Sequence, residues 1–412
     1  MIKMKDSGIP WIGQIPENWK VARVKDFSFL SDKKNTSKDP IVLSLARDAI
    51  KIRDITNNEG QLAKSYDNYC IVKKGDFVLN PMDLYSGANC NVSFVEGVIS
   101  PAYSILKIKN NYDVKLLDYF FKTLYWQMIL YSYGKGVSAD NRWTLTKENL
   151  LNIPLPCPPK EIQQKIVEIL DKKRGQIDEL VRIEENEIEK LKEYKTSLIT
   201  KVVTKGLDPN AKMKDSGIPW IGQIPEDWKV GRLKNFYLNR IEKYNGQNLN
   251  YFALENIESW SGRFIETENI YDKKESILCY KNDCVFGKLR PYLAKAFLLP
   301  FDMCCSSEFA IFYSKINNTK YLFYCFISFG IIDVINSSTY GTKMPRANIE
   351  YILNLQFAIP TVIEQQQIVD YLDKRCEEID NLIKIKQEKI EKLKEYKKSL
   401  IYQYVTGKKE VV

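Results

Sequence analysis

The sequence predicts an α+β fold in which two mixed α/β globular domains are separated by two long antiparallel, coiled-coil-like helices, the whole laid out as a pseudo-twofold internal repeat. Three observations predict it. The run I-E-K-L-K-E-Y-K occurs twice, at residues 188–195 and 390–397. The run M-K-D-S-G-I-P-W-I-G-Q-I-P-E-N-W-K at residues 4–20 returns at residues 213–229 with only Asn18 changed, to Asp227. Between each of these short segments and each long helix lies a stretch with mixed strand and helix signals, similar in outline and different in detail. Self-similarity on this scale marks a duplicated architecture.

The opening segment of each half is read as a docking clasp. Pro10, Pro16, Pro219 and Pro225 restrict the backbone to extended or turn geometry, and Trp11, Trp19, Trp220 and Trp228 offer large apolar faces. In the globular stretch that follows, Gly75-Asp76-Phe77-Val78 answers Asn282-Asp283-Cys284-Val285, and Ser100-Pro101-Ala102-Tyr103 answers Ser306-Ser307-Glu308-Phe309. An aromatic, helix-like segment comes next in each half, residues 116–131 and 321–335, and is read as core. A glycine-containing loop follows, residues 134–142 and 341–348, then a strand-like run into prolines at 154–159 or at Pro360. Proline just ahead of a helix marks its start.

The long helices carry one apolar stripe each at about 100° per residue. In the first, Ile162, Ile166, Leu170, Ile177, Leu180, Val181, Ile188, Leu191, Leu198 and Val202 share it; in the second, Ile368, Leu372, Ile379, Leu382, Ile383, Ile390, Leu393, Leu400 and Val405 do. Helices of roughly 65–70 Å at 1.5 Å per residue exceed what one ordinary domain covers. Each therefore pairs with the other, with Lys165 of the first expected near Lys398 of the second. Gly206-Leu207-Asp208-Pro209-Asn210 ends the first helix and links the halves. The expected division is 1–158, first globular domain; 159–206, first long helix; 207–360, linker and second globular domain; 361–412, second long helix and tail.

Composition narrows the function. The chain of 412 residues has no histidine, which removes Ser-His and Cys-His nucleophilic sites and His-ligated metals. It contains no phosphate-binding G-x-x-x-x-G-K-[ST] loop and no G-x-G-x-x-G turn. Asn80-Pro81-Met82-Asp83 has the look of an amino-methyltransferase tetrad but lacks the stacking aromatic. No catalysis, no metal and no cofactor are expected in this chain. A net charge of +9 suits a polyanionic partner without requiring one. Nine cysteines without a C-x-x-C pair read as reduced thiols of a cytoplasmic protein. No secretory leader is recognisable, and the longest apolar run, residues 321–332, is too short to span a bilayer, so no membrane partner is expected. A related but different globular unit at each end of a helical rod suits a linear ligand with two half-sites, of which DNA is the obvious one.

The chain resembles the specificity subunit of a type I restriction-modification enzyme over its whole length. The G-I-P-W-I-G-x-I-P-E-x-W clasps starting at Gly8 and Gly217 carry the likeness, with F-G-K-L-R-P-Y-L-A-K at residues 286–295, the helix start Glu364-Gln365-Gln366-Gln367-Ile368, and the duplicated helix. The resemblance implies two target recognition domains that bind double-stranded DNA, two modification (methyltransferase) subunits and separate restriction subunits as partners, with S-adenosylmethionine, ATP and magnesium on those partners. Two departures stand out. The first helix start reads Glu161-Ile162-Gln163-Gln164, with its acid displaced by one, and Asn80-Pro81-Met82-Asp83-Leu84-Tyr85 stands where the second domain has Gly287-Lys288-Leu289-Arg290-Pro291-Tyr292.

Arginine and lysine reach guanine edges or phosphates, and asparagine pairs with adenine. The expected DNA-binding residues are Lys288, Arg290, Tyr292, Lys295, Lys343, Arg346 and Asn348 in the second domain. In the first they are Tyr85, Asn89, Asn91, Lys135, Ser138, Asn141 and Arg142. Each of these is also readable as an ordinary surface residue, and Arg290 as a brace. Two readings from other classes are a structural coiled-coil scaffold, against which the two divergent domains speak, and a carboxylate-metal nuclease, for which no Asp with Glu-x-Lys cluster is evident.

If the helical rod acts as a ruler, its length sets the spacer between half-sites. Duplicating residues 187–190 adds about 6 Å of helix and turns the following stripe by about 40°, so the seam survives. At about 3.4 Å per base pair, the unspecified spacer should lengthen by about one pair, because each added pair also rotates the second half-site by about 35°. Sequencing methylated sites reads this directly; an active variant that keeps its original spacer overturns the ruler.

Overall fold

The computed structural model describes residues 3–55, 63–85, 89–109, 111–136, 143–267, 275–339, 341 and 344–411. It divides into two units, the first made of Met1–Ile183 with Lys389–Val412 and the second of Glu184–Glu388.

In the first unit, β1 (Ser28–Ser31), β2 (Phe77–Leu79), β3 (Cys90–Val92) and β4 (Ser104–Ile108) form an antiparallel sheet in the order β1-β4-β2-β3. Strand side chains alternate between faces, and β2 uses both. Phe77 and Leu79 join the main core with Leu117, Phe120 and Phe121 of α1 (Val114–Trp126), while Val78 turns to a smaller core with Leu43, Val72 and Ile105. Asp113 caps α1 by accepting from the N–H groups of Lys115 and Leu116. A short helix, α2 (Lys147–Asn152), and a strand, Pro154–Cys157, lead into the first long helix, α3 (Lys160–Lys205).

The second unit repeats the plan. β5 (Leu238–Arg240), β6 (Cys284–Gly287), β7 (Ala296–Leu298) and β8 (Phe309–Tyr313) take the order β5-β8-β6-β7. Cys284 and Phe286 face the main core and Val285 the smaller one. Then come α4 (Thr319–Phe326), capped by Asn318, the short α5 (Ile349–Asn354) and the second long helix, α6 (Val362–Val405).

Each clasp closes on the end of the long helix from the other half. Ile9, Ile12, Ile15 and Trp19 are buried with Leu400, Ile401, Tyr404 and Val405. Ile218, Ile221, Ile224 and Trp228 are buried with Ile199, Val202 and Val203. Gly407, at φ +71°, ends α6 against its clasp, and a Cβ there would lie 2.3 Å from Pro16 Cδ, so only glycine fits.

One buried glutamine in each half bolts the recognition domain to the start of its long helix. Gln163 Oε1 accepts from Asp113 N–H at 2.7 Å and its Nε2 donates to Pro158 O at 2.8 Å. Gln365 accepts from Asn318 N–H at 2.8 Å and donates to Pro360 O at 3.1 Å. A tyrosine and a lysine reinforce each bolt: Tyr119 and Lys115 donate to Asp171, and Tyr324 and Lys320 to Asp373. Among the described residues the second half alone adds an indole, that of Trp228, donating to Glu364 at 3.0 Å. Ile162 holds the equivalent place in the first half and accepts nothing.

The long helices run antiparallel. In the first unit Lys397 Nζ donates to Asp178 Oδ1 at 2.6 Å; in the second, Lys195 meets Asp380 at 2.8 Å, and Lys386 meets Glu184 at 3.0 Å and also Glu187. This register corrects the pairing of Lys165 with Lys398, since Lys165 lies about 20 Å further along the helix than Asp178 at 1.5 Å per residue. It also corrects the stripe at two positions. Leu180 and Leu382 are 45% and 48% exposed, because the middle of the seam is taken by Glu184, itself 5% exposed, with Lys386.

Cysteines placed at Asp178 and Lys397, after removal of the native thiols, should cross-link efficiently with a short bismaleimide. A pair at Lys165 and Gln367, which parallel helices would bring together, should not. Mass spectrometry of the linked peptides checks both, and the reverse outcome rules out the antiparallel register.

Candidate nucleic-acid interface

The interface candidate of the second unit is built where β6 runs out. Lys288 N–H donates to Glu308 O at 2.8 Å, and Lys288 O accepts from Ala347 N–H at 2.9 Å. Leu289 and Arg346 form a β-bridge, and Arg290 N–H donates to Pro345 O at 2.7 Å. The backbone after β6 is thus zipped to the segment that enters α5. Three such bonds hold the loop without using its side chains.

Arg290 sits at φ +52°, ψ +60°, a left-handed conformation that costs a non-glycine residue about 1–3 kcal/mol. Its side chain is exposed, and among the described residues no hydrogen bond or ion pair engages it. Tyr292, 42% exposed, stands beside it. Arg346 donates to Glu308 Oε1 at 2.8 Å, while Glu308 Oε2 is buried with no hydrogen-bond partner among the described residues. Burial, and then the neighbouring Arg346 charge, push the Lys288 ammonium below its ordinary value, and Glu308 partly offsets them. Lys288, Arg290, Tyr292 and Arg346 therefore come together around one pair of loops. Lys295 and Asn348 have other partners. Lys295 Nζ donates to Leu254 O at 2.7 Å, with burial lowering its pKa, and Asn348 Oδ1 caps α5 by accepting from Glu350 N–H at 2.8 Å. Lys343 lies outside the described residues.

The first unit uses the same zip, with Leu145 N–H donating to Pro81 O at 2.8 Å. Its loop is held by side chains instead. Asn80 Oδ1 accepts from Met82 N–H at 3.0 Å, and Asn89 Nδ2 donates to Asp83 Oδ2 at 2.8 Å. Tyr85 stands 77% exposed at the tip. Lys135 is exposed, its backbone bridged to Thr144. Asn91 points inward: it is 4% exposed, donates to Ala46 O at 2.7 Å and accepts from Lys122 Nζ at 3.1 Å. Ser138, Asn141 and Arg142 lie outside the described residues.

Sequence reasoning missed Glu308, which holds Arg346 and abuts Lys288. In the sequence Glu308 stands among Ser306, Ser307 and Phe309, far from both basic loops, so only the fold brings it to them. Among the described residues no group of three or more acidic or cysteine side chains is placed to hold a metal ion, and no helix is long and apolar enough to cross a membrane.

Residues 16–193 and 225–395 match the type I restriction modification DNA specificity domain. The chain is 27% identical to the type I restriction enzyme MjaVIII specificity subunit of Methanocaldococcus jannaschii, across 96% of this chain and 94% of that one. It is 21% identical to the EcoDI specificity subunit of Escherichia coli across 60% of each. Its fold is similar to a chain solved in a study of complex assembly and conformational transition of the type I R-M system, with a TM-score of 0.72 at 13% identity, covering 95% of this chain and 98% of that one. It is also similar to the HsdS subunit from Thermoanaerobacter tengcongensis, with a TM-score of 0.53 at 14% identity and the same coverage.

Proposed function

The chain belongs to the type I restriction-modification DNA specificity family, and on that premise we propose that its two units read the two halves of a bipartite DNA target through the loops zipped to β2 and β6. It is a sequence-specific DNA-binding subunit, not itself catalytic, that directs separate methyltransferase and restriction subunits. One observation carries the assignment of the reading loops. The two units share strand order, helix bolts and loop zips, yet the loops end in unrelated side chains, Asn80 to Tyr85 in one and Gly287 to Tyr292 in the other. A shared frame that differs at its loops fits two readers of different sequences.

In the second unit, Arg290 is the base reader, without a side-chain partner among the described residues and presented on a strained, backbone-bonded turn. Arg346 and Lys288, steadied by Glu308, contact phosphates or a second base, and Tyr292 packs beside them. In the first unit Tyr85, Asn89 and Lys135 take these parts. Two modification subunits fit the repeat, because Leu180 with Ile183 and Leu382 with Ile385 are exposed at corresponding positions of the two long helices. S-adenosylmethionine, ATP and magnesium belong to the modification and restriction partners, and the free thiols and the DNA partner suit a cytoplasmic setting.

Exchanging residues 21–156 for the corresponding domain of a relative should change one half of the methylated sequence and leave the other intact; a change in both halves would contradict independent readers. Arg290→Ala should cost about 1–3 kcal/mol of binding at a single base pair. Equal weakening on every sequence, in gel shifts over a panel of single-base target variants, would make Arg290 a phosphate contact.

A further inference from the structure

A cavity of about 240 Å³ lies between α1 and the middle of α3 in the first unit. Asp118 lines it, 7% exposed, and its Oδ1 has no hydrogen-bond partner among the described residues. The other oxygen accepts from Lys122 Nζ at 2.6 Å. The three cations on the walls each have a carboxylate neighbour already: Lys122 on Asp118, Lys115 on Asp171 at 2.7 Å, and Arg174 with Asp178 at 3.7 Å. What the cavity has in excess is an acceptor. A buried carboxylate oxygen left without a donor is costly, and burial pushes the Asp118 carboxyl above its ordinary value.

The second half is an internal control. Tyr119 and Tyr324 make the same bond to the long helix, so Asp118 corresponds to Phe323 and Lys122 to Ile327, both buried and apolar. The shared frame therefore does not require the Asp118–Lys122 pair, and apolar replacement of a buried ion pair is often neutral or stabilising. Gly175 forms part of the cavity wall, where its counterpart is Glu377. A Cβ on Gly175 would meet nothing within 4 Å, although glycine disfavours a helix interior. Phe94, 68% exposed, stands at the rim. The volume falls below the roughly 300 Å³ where small-molecule sites begin, which suits a single side-chain head group. The oxygen without a donor calls for a donor group rather than for the acceptor oxygens of a DNA phosphate.

We propose that this cavity is a socket for the guanidinium of an arginine carried by the modification subunit, with the Asp118 carboxylate accepting its N–H groups and Phe94 covering its aliphatic stem. The modification subunit is the partner whose contact any directed methylation requires, so the proposal rests on the functional reading above. It makes the two halves unequal toward their protein partners: the second half has a cavity of about 370 Å³ at the matching place, but Phe323, Ile327 and Glu377 line it where Asp118, Lys122 and Gly175 line the first.

Ethylguanidinium titrated into the full chain and followed by saturation-transfer NMR should bind saturably. Asp118→Asn should weaken it by about tenfold or more, as loss of a charge-assisted bond does, and ethylammonium and magnesium chloride should bind less well than ethylguanidinium. Gly175→Leu fills the open wall with a better helix former, so it should block ethylguanidinium without lowering the unfolding midpoint, which separates loss of the socket from misfolding. With the intact modification subunit, Asp118→Asn should associate about tenfold more weakly while target DNA affinity stays unchanged. Absence of saturable binding, equal binding by Asp118→Asn, or a preference for magnesium overturns the socket. An unchanged affinity for the modification subunit overturns its use by that partner, and leaves the DNA-reading assignment standing because that is read from methylated sequence.

Discussion

The structure depends on a seam that two long helices can complete only with each other. Neither stripe is covered along its length by the domain it grows from, and the ion pairs of Asp178 with Lys397 and Lys195 with Asp380 hold the antiparallel register. Glu184 and Lys386 occupy corresponding positions of the two repeats and touch each other. Equivalent residues in contact mark the place where an antiparallel pair of repeats crosses its own pseudo-twofold axis. A buried acid is expensive unless paired, and breaking such a pair costs about 3–5 kcal/mol. A slipped register would leave Glu184 unpaired while an apolar seam would tolerate the slip, so the polar crossing trades some stability for a single alignment.

From that seam, order passes outward through few groups. Gln163 and Gln365 each join a helix-cap backbone N–H to the carbonyl of a proline just before the long helix, and both are essentially inaccessible to solvent. Removing either would strand two buried backbone groups at about 1–3 kcal/mol each. The domains so fixed anchor the bases of their loops by main-chain bonds, Leu145 to Pro81 in one and Ala347 to Lys288 in the other, which are indifferent to side chain. That indifference is what allows the loop sequences to diverge while the frame persists.

The fold was legible because it was written twice. The duplicated clasps and the repeated I-E-K-L-K-E-Y-K run announce the repeat, and a long single stripe demands a helical partner. The residues at the seam's centre were not legible, because an apolar periodicity predicts which face is buried and not where a charge pair interrupts it; Leu180 and Leu382 were assigned to that face and stand exposed. The same limit applies at the loops. Residue type tells what Asn91, Lys295 and Asn348 can donate or accept, and the structure shows each already bonded within its own domain. Arg290 differs from them through its backbone, whose left-handed turn was invisible in the run Gly287-Lys288-Leu289-Arg290-Pro291.

The strain at Arg290 and the surplus oxygen at Asp118 are departures of the same kind. Each costs free energy in the isolated chain, and each is absent at the matching place in the other half, where Asp83 replaces the arginine and Phe323 the aspartate. Duplication makes such departures informative, because the second copy shows that the fold persists without them. Among the described residues nothing engages the Arg290 side chain that the strained turn presents outward, and no donor reaches the inward Asp118 oxygen. On the reading proposed above, the group that faces Arg290 is a base edge and the group that satisfies Asp118 is a cationic side chain, so the two departures match two kinds of contact.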